Sequence, residues 1–205
     1  MIYAEPGRRY TLEEYLELDN KLTDAKYEYH NGILVEISGV RVSHAQIEVN
    51  MLCALKPKLD DRDDRIFIGG MHISAPSFPP YRYANLSVSA GKPQFVEIGG
   101  SATLVNPALL VEIFSPETEA YDRGDKFSHY KSIPSFCEYL LVSESRPHVS
   151  HFIRLADGWW NHREYNNLDE FIRLISLDCE LTMNEIFDEV DFDLSEVPSY
   201  LRPFV

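Results

Sequence analysis

Residues 106–130 read NPALLVEIFSPETEAYDRGDKFSHY, and this stretch decides how the rest of the chain is interpreted. From Ala108 to Phe114 nearly every position is apolar, as in a strand covered on both faces, yet Glu112 sits within it. Strand side chains alternate, so Leu110, Glu112 and Phe114 share one face while Leu109, Val111 and Ile113 share the other. After Ser115-Pro116 the pattern turns helical over about 119–131 and stops at Ile133-Pro134. On that helix Asp122, Lys126 and Tyr130 fall at i, i+4 and i+8, on one face.

A carboxylate held against an apolar surface needs a cation, a metal or hydrogen-bond donors, because an unpartnered one protonates instead. Glu112 therefore reads as half of a structural salt bridge, as a strand end that reaches solvent just before Ser115-Pro116, or as a functional acid. Lys126 reads either as a solvent-exposed partner of Asp122, worth a few tenths of a kcal/mol, or as the partner of Glu112. Taken together, a strand carboxylate and a helix lysine supply half of a metal-assisted hydrolytic site. The acid holds a divalent cation, and the lysine orients or activates water and screens developing phosphate charge.

Outward from this stretch, Thr11 and Glu14 in YTLEEYLEL form a capping-box pattern that predicts a helix at about 11–18. Asn31-Gly32 lies between β-rich runs and predicts a hairpin with strands near 26–30 and 33–37. Ser43 is a candidate cap for an amphipathic helix at about 43–56, with Ile47, Met51, Leu52 and Leu55 inward and Pro57 ending it. RIFIGG and MHISAP read as short strands, and YRYANLSVSA as one further strand. SFCEYLLVS, HVSHFIRLA and GWWNHREYN form a meander turning at Asp157-Gly158, and Thr182 with Glu185 caps a last short helix. The mixture predicts an α/β (α+β mixed) protein, a central mixed sheet flanked by helices in one domain over 1–205.

Composition narrows the function classes. No apolar run approaches the roughly 20 residues of a membrane span, and MIYAEPGRRY lacks a signal-peptide core, so a cytoplasmic location is expected. Cys53, Cys137 and Cys179 show no metal or disulfide spacing and are expected as reduced core residues. The formal net charge of −14 disfavours tight non-specific binding to DNA, and the acidic tail FDEVDFDLSEVP would repel nucleic acid. Nucleotide-binding glycine loops and the serine-hydrolase elbow are absent from the sequence. His148 and His151, three apart in a strand, should face opposite ways; His129 either borders the pocket or is exposed. Of Trp159-Trp160, one ring should pack inward and the other stay partly exposed.

YTLEEYLEL, YEYHNGILVEIS, SHAQIEVNMLCAL, LLVEIFSPETEAYDRGDKFSHYKSIPSFCEYLLV and LTMNEIF together resemble the Uma-two family. That family consists of restriction-endonuclease-like proteins of the PD-(D/E)XK nuclease superfamily. The resemblance spans about residues 10–188 and leaves an acidic C-terminal tail. It implies an endonuclease using Mg²⁺ or Mn²⁺, with Glu112 as metal-binding acid, Lys126 as the lysine supplied by the following helix, and Glu28 as auxiliary acid. It also implies a homodimer acting on DNA. The family's Pro-Asp pair falls at Ala84-Asn85, so Asn85 takes the place of the central aspartate ligand. An amide oxygen ligates Mg²⁺ without charge and therefore weakly. Two readings follow: an endonuclease with a degenerate metal site, or a catalytically inactive nuclease fold serving as a binding or regulatory module.

Overall fold

The computed structural model describes residues 7–21, 27–30, 32–36, 41–77 and 81–192. In chain order these form α1 (Leu12–Lys21), the hairpin β1 (Tyr27–His30) and β2 (Ile33–Glu36), α2 (Val42–Leu55), β3 (Ile66–Ile68) and β4 (His72–Ser74). Next come β5 (Tyr81–Tyr83), β6 (Leu86–Ser89), β7 (Phe95–Ile98), β8 (Ser101–Leu104) and β9 (Pro107–Phe114). A short α3 (Glu119–Tyr121), a π turn (Asp122–Lys126) and α4 (Phe127–Tyr130) lead to the meander β10 (Glu138–Ser143), β11 (Val149–Arg154) and β12 (Trp160–Tyr165). The hairpin β13 (Phe171–Leu174) and β14 (Cys179–Thr182) precedes α5 (Met183–Phe187).

Six strands make the central mixed sheet, in the order β12-β11-β10-β9-β6-β3. Only β9 and β10 run parallel within it, with Leu141 opposite Glu112, and their crossover is the α3–π–α4 segment. Every residue of β9 is buried because both faces are covered. On one side Leu109, Val111 and Ile113 pack with Ile47, Met51 and Leu55 of α2 and Ile186 of α5. On the other, Leu110 and Phe114 meet Phe127, Tyr130, Phe136 and Tyr139. The alternation read from the sequence thus divides two cores, and Glu112 projects into the second, aromatic one.

A smaller sheet, β5-β4-β8-β7, supports the N-terminal arm formed by α1 and the β1–β2 hairpin. The joint is built from Tyr10, Tyr15, Tyr27, Tyr29, Tyr81 and Tyr83. Asp19 of α1 accepts from the hydroxyls of Tyr81 at 2.8 Å and Tyr83 at 2.7 Å, and faces His72 at 3.3 Å. The β7–β8 turn uses Gly99 and Gly100 at φ +59° and +87°, and a Cβ at Gly99 would sit 3.1 Å from Leu16 of α1.

Several expectations are met and others corrected. Both capping boxes form: Glu14 N–H donates to Thr11 Oγ1 and Thr11 N–H to Glu14 Oε2, and Thr182 pairs with Glu185 in the same way. YRYANLSVSA is not one strand, because the chain leaves the small sheet after Tyr83 and joins the large one at Leu86. The second helix begins one residue before Ser43, with Arg41 at its cap position, and a 3₁₀ turn over Lys56–Leu59 carries the chain through Pro57. Proline is tolerated there because a first-turn N–H has no helical partner to lose. Cys53 is exposed, and Cys137 and Cys179 are only half-buried, so none belongs to the fully buried core. Cys53 falls on the face of α2 opposite Met51 and Leu55. Trp160 packs edge-on against Phe127 while Trp159 stays 75% exposed. Asn31, the first turn residue, and the acidic tail from residue 193 lie outside the described residues. Among the described residues no helix is long and apolar enough to cross a membrane.

His151 and Glu138 fasten the β13–β14 turn to the central sheet. Glu138 Oε1 accepts from His151 Nε2 at 2.7 Å and Ile175 N–H at 3.0 Å, while Oε2 accepts from Ser176 N–H at 2.9 Å. Burial raises the Glu138 pKa, but the donors of His151 and Ser176 outweigh it and hold the carboxyl below its ordinary value. Its stabilising contribution is therefore present above the unfolded-state pKa and lost as pH falls through the lower folded-state value. Glu138→Gln, which turns an NH₂ toward these donors, should cost about 1–3 kcal/mol at pH 7. Urea unfolding at pH 7 and at progressively lower pH should show the deficit narrowing as pH falls toward the lowered folded-state value.

Candidate active site

The site forms where the crossover passes over the C-terminal half of β9. Glu112 is 3% exposed, and the Lys126 ammonium lies 2.9 Å from its Oε1. Lys126 ends the five-residue π segment, whose i→i+5 bonding makes the turn wider than that of an α-helix bonded i→i+4. The Asp122 carbonyl within this turn accepts from the Tyr139 hydroxyl of β10 at 3.1 Å, so the irregular backbone is tied to the sheet. One turn further, the Tyr130 hydroxyl reaches Glu112 Oε1 at 2.8 Å and the Tyr83 carbonyl at 3.0 Å. The face predicted for Asp122, Lys126 and Tyr130 does turn inward.

Two further carboxylates reach the same ammonium. Glu28 Oε1 of β1 lies at 3.5 Å and Asp122 Oδ1 at 3.6 Å. Glu28 arrives on the N-terminal arm, which the tyrosine joint holds in place. Arg82, 3% exposed, bridges the arm to the helix: Nη1 donates to the Tyr29 carbonyl at 2.8 Å, and Nη2 meets His129 Nδ1 at 2.8 Å. His129 is half-buried beside the pocket. Sequence reasoning singled out neither Asp122 as a pocket acid nor Arg82. A buried arginine leaves no periodic signal, and Asp122 looked like an ordinary i,i+4 partner of Lys126.

Asn85 is placed differently. Its Oδ1 accepts the Ile113 N–H at 2.9 Å, one step beyond the Leu86–Val111 pair that begins the β6–β9 ladder. Its Nδ2 faces His44 Nε2 at 2.8 Å, and His44 Nδ1 faces Glu144 Oε2 at 3.1 Å. Since Oδ1 is taken by an N–H, Nδ2 must donate to His44, which assigns the imidazole proton to Nδ1 and toward Glu144. Arg41 closes the row, 3.3 Å from Glu144 Oε1. The structure therefore brings Glu112, Lys126 and Glu28 together and ties Asn85 into a separate row with His44 and Glu144.

Burial pushes the Glu112 carboxyl up; Lys126 pulls it back only in part, and Asp122 adds repulsion. Burial raises Asp122 as well, against the pull of Lys126. Burial works to lower Lys126, but Glu112, Glu28 and Asp122 together outweigh it and hold the ammonium charged. Among the described residues no three acid, histidine or cysteine side chains converge on one point as ligands. The oxygen donors nevertheless suit a hard divalent cation, which commonly takes one or two carboxylates and fills its remaining positions with water and substrate oxygens. A cation beside Glu112 would replace the proton that burial favours there.

Geometry and topology define a mixed α/β protein with a buried acid–lysine pocket beside the parallel strand pair of its central sheet. The chain belongs to the Uma2 family, whose description is "Putative restriction endonuclease" and whose model matches residues 12–184. Two proteins of Synechocystis sp. (strain ATCC 27184 / PCC 6803 / Kazusa) are similar in sequence. The uncharacterized protein sll1609 is 29% identical over 73% of this chain and 84% of its own length. The uncharacterized protein slr1290 is 28% identical over 92% of this chain and 97% of its own. A crystal structure described as "a putative nuclease belonging to DUF820", from Anabaena variabilis ATCC 29413, shares the fold. Its TM-score is 0.66 at 17% identity, covering 87% of this chain and 97% of that one.

Removing the ammonium should be more damaging than removing one acid. Lys126→Met leaves Glu112, Glu28 and Asp122 facing one another in a buried space and should cost about 3–5 kcal/mol at pH 8. Because the Glu112 and Asp122 carboxyls are already raised, protonation at pH 5 should recover part of that loss. Denaturant midpoints at both pH values measure this; an equal loss at each would contradict the charge assignment.

Proposed function

We propose that this protein is a Mg²⁺- or Mn²⁺-dependent endonuclease that hydrolyses phosphodiester bonds of DNA. The reading is carried by the contact between the buried Glu112 of β9 and Lys126 of the crossover. Family membership supports a nuclease-type function, and the donor chemistry of the pocket supports the cation. Glu112 would hold the metal; Asn85 could add at most a neutral contact through the second lone pair of Oδ1, the first being engaged by Ile113. When bound, the cation would supply Lewis acidity toward a phosphoryl oxygen and lower the pKa of a bound water.

The chain's own residues account for the remaining tasks. Lys126, kept charged by its three acids, donates N–H to a non-bridging phosphate oxygen and stabilises charge that builds there during attack. Tyr130 fixes the rotamer of Glu112 from one side, and Glu28 closes the pocket from the arm as an auxiliary acid. The setting we propose is a cytoplasmic homodimer, whose two pockets would address the two strands of a duplex.

Engagement of Asn85 by Ile113 and His44, together with the net charge of −14, favours a second reading, a nuclease fold retained for binding or regulation. Plasmid nicking with Mg²⁺ and Mn²⁺ separates the two. If the site is active, wild type nicks and Glu112→Gln loses at least about 10²-fold, the scale of removing a charge-stabilising group. If it has decayed, wild type is silent and Asn85→Asp, which restores a second anionic ligand, gains activity. Inert wild type, Glu112→Gln and Asn85→Asp would overturn the endonuclease reading.

A further inference from the structure

Beside the pocket, a second polar cluster has no part in the proposed chemistry. Glu112, Leu141 and Ser150 are in register across β9, β10 and β11, so Ser150 lies about 10 Å from Glu112 at about 4.8 Å per strand. Above Ser150 sits Arg123, the residue after Asp122 in the π turn, with Nη1 donating to Ser150 Oγ at 3.0 Å. Burial lowers the pKa of His148, and its bonds fit the neutral ring: Ser150 donates to Nε2 at 3.1 Å, and Nδ1 donates to Asn166 Oδ1 at 2.9 Å. Arg146 Nη1 donates to the same oxygen at 3.0 Å.

This row ends in two guanidinium groups, and its internal bonds fix both without neutralising either. Among the described residues Arg146 forms no ion pair, although the chain carries 33 acidic against 19 basic residues. Burial holds Arg146 below its ordinary pKa, and the like charge of Arg123 adds to that against the pull of Glu119 and Glu164. Arg123 is paired with Glu119 at 2.9 Å, but that carboxylate is 43% exposed and can be displaced. Among the described residues Arg146 engages the row through Nη1 alone, which leaves the rest of its fork to meet an anion, and guanidinium forks match phosphate oxygens.

We propose that Arg123 and Arg146 form a phosphate subsite that grips the backbone of a nucleic-acid strand a short distance from the residue pair Glu112–Lys126. The proposal rests on the nuclease reading for the identity of the strand, though not for the existence of an anion site. Ser150, His148 and Asn166 are positioning residues behind it. The subsite would supply part of the backbone attraction that the overall charge withholds, and confine it to one face.

Fluorescence anisotropy of the full chain with a labelled 20-nucleotide DNA, single- or double-stranded and in EDTA, tests this without metal or turnover. Arg123→Gln and Arg146→Gln should each weaken binding about 5–10-fold and each reduce the slope of log K against log salt by about 0.7–0.9. Arg163→Gln, on the opposite face of β12 and 65% exposed, should change neither. Should Arg123→Gln melt early because its bond to Ser150 fails, Arg146→Gln alone decides. Wild-type affinity in both variants, or no binding by wild type, overturns the subsite. Displacement of the strand by inorganic phosphate at equal phosphate concentration overturns the strand assignment in favour of a small anion. The two proposals fail separately. Cleavage with unchanged affinity in the variants removes only the subsite; arginine-dependent binding without metal-dependent cleavage removes only the nuclease.

Discussion

Three carboxylates from three different elements share one ammonium group, and the surrounding architecture is arranged around keeping them there. Glu112 belongs to a strand buried on both faces, Asp122 to the crossover and Glu28 to the N-terminal arm. Burying any one of these acids alone would be unfavourable enough to protonate it. Lys126 makes the arrangement tolerable, and the acids in turn keep it charged. Each element must be in place for the others to be stable, so the pocket acts as a clasp between the arm, the crossover and the sheet as well as a candidate for chemistry.

The clasp also explains why Asn85 matters less for charge than for backbone order. At the point where β5 gives way to β6, the chain changes sheets, and a backbone N–H of β9 would lose its partner. The Asn85 side chain supplies that acceptor and continues the ladder for one residue. Its other end fixes the tautomer of His44, which orients Glu144 at the end of β10. Residue 85 therefore connects the first turn of α2 to the strand ends around the pocket.

Much of this was legible from the sequence, and the exceptions share a cause. The Glu112 face, the meander, both capping boxes and the shared face of Asp122, Lys126 and Tyr130 follow from period and local chemistry, which neighbouring residues determine; whether that face turned inward was left open by period alone. The hairpins β7–β8 and β13–β14 were missed because their alternation is weak: β7 is exposed at Phe95, Val96 and Glu97. The split of YRYANLSVSA was invisible because a strand that changes sheets keeps its β composition. Cys53 was misplaced by a rule about residue type where helix phase decided. Arg82 and the His44–Asn85–Glu144 row depend on contacts between residues far apart in sequence, which no local pattern encodes; Asp122 keeps its local i,i+4 contact, and its burial is what that spacing does not reveal.

The π turn stores the pocket's register in the backbone. Relative to a regular helix, Asp122–Lys126 contains one residue more than the rise requires, and Tyr139 accepts the irregularity by donating to the Asp122 carbonyl. Each residue advances an α-helix by about 100°, so losing that extra residue would swing the following side chains by roughly a quarter-turn. Phase, rather than identity, then sets which residue meets Glu112: a relative with the same lysine but a regular helix would present a different face to its sheet.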